Sequence, residues 1–268
     1  MTTQTQPRYT APLRGTRTLV IGGTSGIGFG VASALIEEGG SVHVASSSSA
    51  KVDDAVRRLS SPATQYNADA SRVTGSTVSL SGPQMEASLS ALFQEVGGQI
   101  DHLVFTSGDA LAIKPLREWS YDDLVRVGDV RYFGAFLAIK TAIVGGHLKR
   151  GGSITLTSGS IAEQPRPDWT AVAGFAEGLV GLTRQFALDL AQHGVRVNLV
   201  MPGVVKTELW DPMPQDVRDH VLAEAAEATL TKKCAEVQDL VHAYLYLMKD
   251  TNITGQVIRS DGGSALVP

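Results

Sequence analysis

The sequence predicts an α/β fold in which a single doubly wound parallel sheet is flanked by helices on both faces. Short apolar runs, rich in β-branched residues, alternate with longer helical patterns along the chain. Most of these runs are apolar almost without interruption, which is typical of strands buried on both faces of a sheet. Regular alternation of this kind indicates parallel strands that are joined by helical crossovers.

Seven apolar runs are predicted as strands. They lie at Thr18–Gly22, Ser41–Ala45, Ala63–Ala68, His102–Thr106, Ser153–Thr157, Arg196–Met201 and Gln256–Arg259. The helical patterns between them are long enough for crossovers and lie at Gly28–Glu38, Lys51–Leu59, Gln84–Val96, Tyr121–Leu148, Ala173–Gln192 and Val237–Met248. Ser120 is followed three residues later by Asp123, and this spacing predicts an N-cap at the start of the fourth helix.

The remaining segments interrupt the alternation. Residues 1–14 are predicted as a flexible N-terminal arm and residues 15–268 as one domain, which the chain length of 268 residues allows. Residues 72–83 are rich in Ser, Thr and Gly and are interpreted as a surface connection. Residues 208–233 depart from the core pattern and bear Trp210, so we expect them to form a substrate lid.

Composition argues against several classes of partner. The net charge is -4 at pH 7 and no basic run occurs, which argues against nucleic acid. No stretch reaches membrane-spanning length, and the first fifteen residues lack the apolar region of a signal peptide. The one cysteine cannot form an intramolecular disulfide. We therefore expect a cytoplasmic protein with no membrane, nucleic-acid or metal partner.

A glycine-rich turn is the clearest functional signal. Gly22, Gly26 and Gly28 follow the first predicted strand and precede the first predicted helix. Small residues let the backbone pass beneath a pyrophosphate, and the helix N-terminus supplies N–H donors and a positive dipole. The turn that is predicted to bind a dinucleotide in this way also contains Thr24, Ser25 and Ile27.

Three further segments extend this pattern: Asn67-Ala-Asp69, Arg196-Val-Asn-Leu-Val-Met-Pro202-Gly203-Val-Val-Lys-Thr207 and Ile253-Thr-Gly-Gln-Val-Ile-Arg-Ser-Asp-Gly-Gly263. Together with the glycine turn they resemble the short-chain dehydrogenase/reductase (SDR) family, over about residues 15 to 265. The resemblance implies a single Rossmann-like domain that binds a nicotinamide cofactor. It also implies that Asp69 contacts the adenine and that the Pro202–Thr207 segment lies along the nicotinamide. The same implied cofactor site includes Ser107, Gly108, Gly203 and Val205.

The end of the second strand favours NADP(H) over NAD(H). An NAD site usually places a carboxylate there to accept the ribose hydroxyls. In this chain the position falls among Ser46, Ser47 and Ser48, with Lys51 just beyond. Hydroxyls and an ammonium suit a 2′-phosphate, and no acid is there to repel it. The alternative is a polar loop without such a role.

The residues that deliver a proton in the family are missing. The resemblance implies a tetrad of Asn, Ser, Tyr and Lys, in which the Lys lowers the Tyr pKa and the Tyr protonates an alkoxide. None of the six tyrosines is followed four residues later by Lys. The run from Val172 to Arg184 aligns with the family's helix, so that Val172 takes the Tyr position and Ala176 the Lys position. If Trp169 is aligned with the Tyr instead, Ala173 takes the Lys position.

Other positions of the tetrad have changed as well. Asp129-Val-Arg131-Tyr-Phe-Gly resembles the family's Asp-Val-Asn-x-x-Gly, so Arg131 holds the Asn position. Ser160 is the better match for the serine, with Ser158 as its rival. The family's Asn-Asn-Ala-Gly reads Thr106-Ser-Gly-Asp109, which places a carboxylate near the nicotinamide.

The polar residues of the predicted cleft suit a cationic substrate. A carbonyl must gain a proton as it accepts hydride, whereas an iminium carries its charge already. Asp109 or Asp168 would stabilise such a cation, and Trp169 would add a cation–π contact of about 1 kcal/mol. The candidate catalytic residues are therefore Asp109, Arg131, Ser160, Glu163, Asp168 and Trp169. The alternative is a decayed enzyme in which these side chains are surface or structural residues.

The combination of Asp109, Arg131 and a Pro-rich loop ending in Asp168-Trp169 also resembles the atypical SDRs of fungal prenylated-indole alkaloid pathways. That group includes iminium reductase/Diels–Alderases and a redox-cofactor-dependent Pictet–Spenglerase of a citrinadin-type pathway. The resemblance implies an NADPH-dependent biosynthetic enzyme that acts on an iminium or imine of an indole alkaloid. It also implies control of the cyclisation that accompanies hydride chemistry, either a Pictet–Spengler or an intramolecular Diels–Alder reaction.

Two other functions remain open. The first is an ordinary carbonyl reductase with a relocated acid, for which Asp168 is the candidate. The second is a non-catalytic protein that senses NADP(H). Helices of the resembled family often pair subunits, so we expect a homo-oligomer, either a dimer or a tetramer.

Overall fold

Seven parallel strands form the centre of the molecule. The computed structural model describes residues 12–61 and 69–267. In these ranges the strands are β1 Arg17–Ile21, β2 Ser41–Ser46, β3 Val73–Thr77, β4 Ile100–Phe105, β5 Leu148–Thr157, β6 Arg196–Pro202 and β7 Val257–Ser260. Their spatial order is β3-β2-β1-β4-β5-β6-β7, and every neighbouring pair is parallel. The predicted α/β class is confirmed.

Helices cover both faces of the sheet. They are α1 Gly26–Glu37, α2 Ser49–Ser60, α3 Met85–Val96, α4 Tyr121–Gly128, α5 Ala135–Val144, α6 Thr170–Asp189, α7 Gln215–Glu227 and α8 Val237–Lys249. One core cluster contains apolar side chains of α1, α2 and α8, and the other contains those of α3, α5 and α6. The sheet is therefore doubly wound. No helix in residues 12–61 and 69–267 is long and apolar enough to cross a membrane.

The third strand lies in a different place from the one predicted. The predicted strand 63–68 falls within residues 62–68, which are outside the described part of the chain. The sheet instead uses Val73–Thr77, within the segment 72–83 that was interpreted as a surface connection. Val73 pairs with Val42 of β2 and Thr77 with Ser46. Strand β3 is an edge strand, and its buried residues are Val73 and Ser76. Its sequence is rich in Ser and Thr, so it lacks the continuous apolar run by which the other strands were predicted.

The long predicted helix 121–148 is three separate elements. Helix α4 begins with the predicted cap, since the Ser120 and Asp123 side chains form a reciprocal capping box. Residues Asp129–Gly134 then form a π-helical segment, and α5 follows. Leu148 already belongs to β5, where it pairs with Ile100. A π segment inside a helix is uncommon and changes the direction of the side chains that it carries.

The strand order reverses direction at β1 and β4. The chain builds outward from β1 through β2 to β3, and then returns to place β4 on the other side of β1. In open α/β sheets the crevice outside the carboxyl ends of strands at such a reversal is the usual ligand site. The loops after β1, β4, β5 and β6 all reach that edge, and this arrangement positions the candidate site.

Candidate active site

A cavity of about 540 Å³ opens at the carboxyl edge of the sheet. Most of the residues singled out from the sequence line it. They are Gly22, Thr24, Ser25, Gly26, Ile27, Gly28, Ser46, Ser47, Lys51, Ser107, Gly108, Asp109, Arg131, Ser160, Trp169, Pro202, Gly203, Val205 and Thr207. Four candidates lie outside the lining, namely Ser48, Asp69, Glu163 and Asp168.

The turn between β1 and α1 is closed by direct backbone contact. A Cβ atom on Gly28 would lie 2.2 Å from the Gly22 carbonyl oxygen, so no larger residue fits. Ser25 caps α1 with extended backbone, and its side chain makes no capping hydrogen bond. The Gly26 N–H donates to Glu208 Oε2 at 2.9 Å. The N-terminus of α1 therefore presents N–H groups to the cavity, already binds an anionic group, and fits the diphosphate of a dinucleotide.

The end of β2 carries hydroxyls and a lysine. Ser46, Ser47 and Lys51 line the cavity, whereas Ser48 does not. The Ser48 side chain instead caps α2 and accepts a hydrogen bond from the Lys51 N–H at 3.4 Å. No carboxylate occurs in residues 46–51. A phosphate fits this part of the cavity, because it is positive and rich in hydroxyl groups. The charge comes from Lys51 and the first turn of α2, and the hydroxyls come from Ser46 and Ser47.

Asp69 does not occupy the position expected for an adenine contact. It precedes β3 rather than following it, and its carboxylate accepts from the Ser71 N–H at 3.0 Å to cap the turn Ala70–Arg72. That hydrogen bond lowers the pKa of Asp69, which is exposed. The residues after β3 that do line the cavity are Val78, Ser79, Leu80 and Ser81. Asp69 lies outside the lining because the strand that it was expected to follow lies later in the chain, at Val73–Thr77.

Arg131 and Asp109 meet through the π-helical segment. Arg131 lies in the middle of that segment, and its Nη2 donates to the Asp109 main-chain carbonyl at 2.5 Å. The guanidinium also lies against Gly108, where an added Cβ would be 2.9 Å from Arg131 Cζ. A larger residue at position 108 would therefore displace the Arg131 guanidinium from this position. The predicted cation of the cleft is present, and the π segment that directs it had no signal in the sequence.

Burial sets the proton affinity of Asp109. It raises the pKa of the Asp109 carboxyl above its ordinary value, and the Arg131 charge and a hydrogen bond from the Val130 N–H offset only part of this effect. Burial likewise lowers the pKa of the Arg131 guanidinium, opposed by Asp109. A carboxyl group with raised pKa, next to a cation and inside a cavity, is a common feature of functional sites.

Helix α6 presents apolar side chains to the same cavity. Val172 and Ala176 are buried and line it, and no tyrosine of the described residues does so. Both candidate serines also line the cavity. Ser158 Oγ donates to the Ala176 carbonyl at 2.7 Å, whereas the Ser160 hydroxyl has no hydrogen-bond partner among the described residues. Ser160 is therefore the serine whose hydroxyl is available to a ligand.

The loop before α6 is arranged differently from the prediction. Glu163 points away and forms a bidentate ion pair with Arg259, at 2.6 and 2.5 Å. Asp168 is exposed, has a φ of 67° and lies outside the lining of the cavity. The charged residue of this loop that lines the cavity is Arg166, accompanied by Trp169. The proposed cleft-facing roles of Glu163 and Asp168 are thus not supported by their positions, and Arg166 was missed.

The segment after β6 closes the cavity from the remaining side. Glu208, Trp210 and Pro212 line it. Trp210 is buried, and its indole N–H donates to the Val205 carbonyl at 2.8 Å. Its ring packs beside the loop that carries Thr207. This part of the predicted lid is therefore anchored to the cofactor side of the cavity, with α7 following as a separate helix.

A glycine turn at a helix N-terminus, at the reversal point of a doubly wound sheet, defines a Rossmann-type nucleotide-binding protein. Comparison with known proteins identifies the family. The model of the SDR-like Rossmann domain matches residues 9–267. The chain belongs to the short-chain dehydrogenase/reductase family.

Individual relatives are similar over nearly the whole chain. The short-chain dehydrogenase/reductase fsr5 of Gibberella fujikuroi is 37% identical, covering 97% of this chain and 98% of its own. A solved structure of the MalC reductase/Diels-Alderase from Malbranchea aurantiaca has a TM-score of 0.86 at 36% identity, covering 96% of this chain and 99% of its own. A small-chain dehydrogenase in complex with NADPH has a TM-score of 0.73 at 28% identity, covering 94% of this chain and 99% of its own.

Proposed function

We propose that this protein is an NADPH-dependent biosynthetic reductase whose acceptor is an iminium or imine carbon of an indole alkaloid. Ring formation, by a Pictet–Spengler or Diels–Alder-type reaction, is controlled in the same cavity. One observation carries the proposal. Apolar Val172 and Ala176, which the sequence resemblance aligns with the family's proton-donating Tyr and Lys, line the cavity together with Asp109. The similarity to a reductase/Diels-Alderase supports the same chemistry.

The chain's own residues define how the cofactor would be held. The first turn of α1 would bind the diphosphate, and Ser46, Ser47 and Lys51 would bind the 2′-phosphate. The NADPH bound by a similar small-chain dehydrogenase supports this assignment. The segment Pro202–Thr207 would lie along the nicotinamide, which supplies a hydride when the cofactor is bound.

Asp109 and Arg131 are proposed to govern the electrostatics at the reacting carbon. An ionised Asp109 stabilises a cationic substrate within a partly buried site, where such interactions are stronger than in bulk water. Arg131 fixes the Asp109 backbone through its 2.5 Å contact and limits the rise in the Asp109 pKa. Because Val172 and Ala176 carry no charge, nothing at those positions repels an iminium. Trp169 provides a flat wall against which an indole ring can stack.

A permanently charged substrate tests this proposal. We expect the purified protein to consume NADPH in the presence of an N-methyl-3,4-dihydro-β-carbolinium ion. Asp109→Asn should lower kcat/KM by about 100- to 1000-fold, because it removes the charge that stabilises the cation. Asp168→Asn is the matched control and should leave the rate within about twofold, since that side chain is exposed. Equal rates for the Asp109 variant and the parent protein would remove Asp109 from the mechanism.

A carbonyl reductase is the second candidate, and the raised pKa of Asp109 favours it. A protonated Asp109 could donate its proton to a carbonyl oxygen, in place of the Asp168 considered from the sequence. The two candidates have opposite pH dependences. Ketone reduction should slow as the pH rises through the Asp109 pKa, because the acid is lost. Reduction of the N-methyl iminium should instead become faster over the same interval, because the carboxylate forms.

A further inference from the structure

The loop before α6 presents to the cavity a guanidinium that has no partner among the residues that the structure describes. Arg166 lines the cavity. Its side chain makes no ion pair and no hydrogen bond within residues 12–61 and 69–267; its main-chain carbonyl accepts from the Trp169 N–H at 3.3 Å. Pro165 and Pro167 flank it. Proline fixes its own φ and restricts the residue before it to extended backbone, so the loop holds Arg166 in a narrow range of conformations.

Two arginines elsewhere in the structure have their guanidinium groups bonded by the fold. Arg259 forms the bidentate pair with Glu163. Arg196 donates to the carbonyls of Leu247, Ile253 and Met248. A structural role would give Arg166 comparable contacts. Arg166 has no such contact within the described residues and is exposed at the lining of the cavity, so its guanidinium is available to an anionic ligand.

The charges around the cavity leave Arg166 uncompensated. Arg131 is balanced by Asp109, and the Glu208 carboxylate is bound at the N-terminus of α1. Lys51 lies at the end of β2, where the 2′-phosphate is proposed to bind. The loop that was expected to add a second carboxylate to the substrate side therefore adds a cation instead.

We propose that Arg166 binds a carboxylate of the substrate, which rests on the proposed reduction for the position of the reacting carbon. The substrate is then an imino acid, with a cationic nitrogen facing Asp109 and a carboxylate facing Arg166. A guanidinium and a carboxylate form two parallel hydrogen bonds, which fix orientation as well as affinity. Trp169, three residues after Arg166, stacks the ring that joins the two charged groups.

Matched substrates test the inference. The probes are 3,4-dihydro-β-carboline-3-carboxylate and 3,4-dihydro-β-carboline, which differ in the carboxylate alone. The parent protein should have a KM lower by about 10- to 100-fold for the carboxylate. Arg166→Gln should abolish this preference, because it raises the KM for the carboxylate far more than the KM for the plain imine. Arg166→Lys should restore part of it, because the charge returns without the bidentate geometry.

The control is Arg117→Gln, which removes an arginine that is 83% exposed and forms an ion pair with its neighbour Glu118. Arg117→Gln should keep the lower KM for the imine that carries the carboxylate. Equal KM values for the two imines in the parent protein would overturn the inference, as would an equal loss on both substrates in Arg166→Gln.

A binding measurement separates this inference from the proposed reaction. Aromatic β-carboline-3-carboxylate and β-carboline cannot accept hydride in the same way, and both are fluorescent. With NADP⁺-loaded protein, the carboxylate should bind about 10- to 100-fold more tightly, and Arg166→Gln should erase the difference. Selective binding without turnover of either imine would retain Arg166 as a carboxylate site and reject the reductase. Turnover of both imines without selective binding would retain the reductase and reject Arg166 as a carboxylate site.

Discussion

The two sides of the cavity differ in the kinds of atoms that form their surfaces. On the cofactor side, backbone atoms and small residues form the surface, as at Gly22, Gly26 and Gly28. On the substrate side, long charged side chains such as Arg131 and Arg166 form it. The first surface depends on how closely two segments of backbone approach each other. The second depends on where a few flexible side chains are directed.

This difference shows how one scaffold can keep its cofactor and change its chemistry. The turn after β1 tolerates little variation, since the Gly28 position has no space for a side chain. On the opposite side, exchanging an acid for a base at one position of the loop 163–169 reverses the charge offered to a substrate without altering the sheet. Substitutions in the two regions should therefore differ in kind. Those on the cofactor side should damage the fold, and those on the substrate side should change selectivity.

Gly28→Ala is the strongest test of this contrast. The added Cβ would lie 2.2 Å from the Gly22 carbonyl oxygen, and neither backbone segment can move without opening the turn. We expect a loss of about 3 kcal/mol or more in the free energy of unfolding and no measurable NADPH binding. Denaturant unfolding and NADPH fluorescence titration would measure the two effects.

Gly174→Ala is the matched control, because a Cβ there meets nothing within 4 Å on the exposed side of α6. It should stabilise the protein by about 0.5–1 kcal/mol, through the higher helix propensity of alanine. If Gly28→Ala folds and binds NADPH as well as this control, the cofactor side is not the rigid surface described above.

The same contrast explains what could be predicted from the sequence. Six of the seven strands were located to within a few residues, because buried parallel strands carry a continuous apolar signal. The exception is β3, an edge strand whose sequence Val73-Thr-Gly-Ser-Thr77 has almost no such signal. That single error also misplaced the adenine contact, which was assigned to Asp69.

The cofactor side was predictable because backbone geometry demands particular residue types. The substrate side was predictable only in part. Asp109 and Arg131 were found because they replace recognisable positions of a motif. Asp168 lies outside the lining of the cavity, and its backbone φ of 67° is visible only in the three-dimensional structure. The π-helical segment that carries Arg131 leaves no trace in hydrophobic periodicity.

Glu208 links the two sides and offers a finer test. Its carboxylate accepts from the Gly26 N–H at 2.9 Å, in the place where a diphosphate would bind to α1. A bound diphosphate must displace or repel this charge. Glu208→Gln should therefore tighten NADPH binding by about 3- to 10-fold, because an anion at a helix N-terminus is worth about 1 kcal/mol. The gain should shrink as salt is added.

Glu224→Gln is the control for Glu208→Gln, since it removes an exposed carboxylate from α7 that pairs with His220. Its NADPH affinity should match that of the parent protein. Weaker binding by the Glu208 variant would mean that the carboxylate supports the turn rather than competing with the cofactor. A charged side chain would then be part of the cofactor side, which would not be formed by backbone and small residues alone.

The smallest expected effect is on the free energy of unfolding, which the partly buried charge of Asp109 lowers. Burial raises the pKa of Asp109 in the folded protein despite the attraction of Arg131. The folded state therefore holds the Asp109 proton more tightly than the unfolded state does. Its contribution to stability is present below the unfolded pKa and is lost as the pH rises through the folded pKa. At neutral pH the ionised carboxylate lowers the stability of the parent protein.

Asp109→Asn should consequently be slightly more stable than the parent protein at pH 7.5, although it is the less active enzyme. The difference in melting temperature should decline as the pH is lowered toward the Asp109 pKa, because a protonated Asp109 and an asparagine are then nearly equivalent. Asp168→Asn, at an exposed position, should show no such trend. A variant less stable than the parent at every pH would mean that the Arg131 pair outweighs the cost of burial. Asp109 would then be a structural residue, and the substrate side would resemble the cofactor side in supporting the fold.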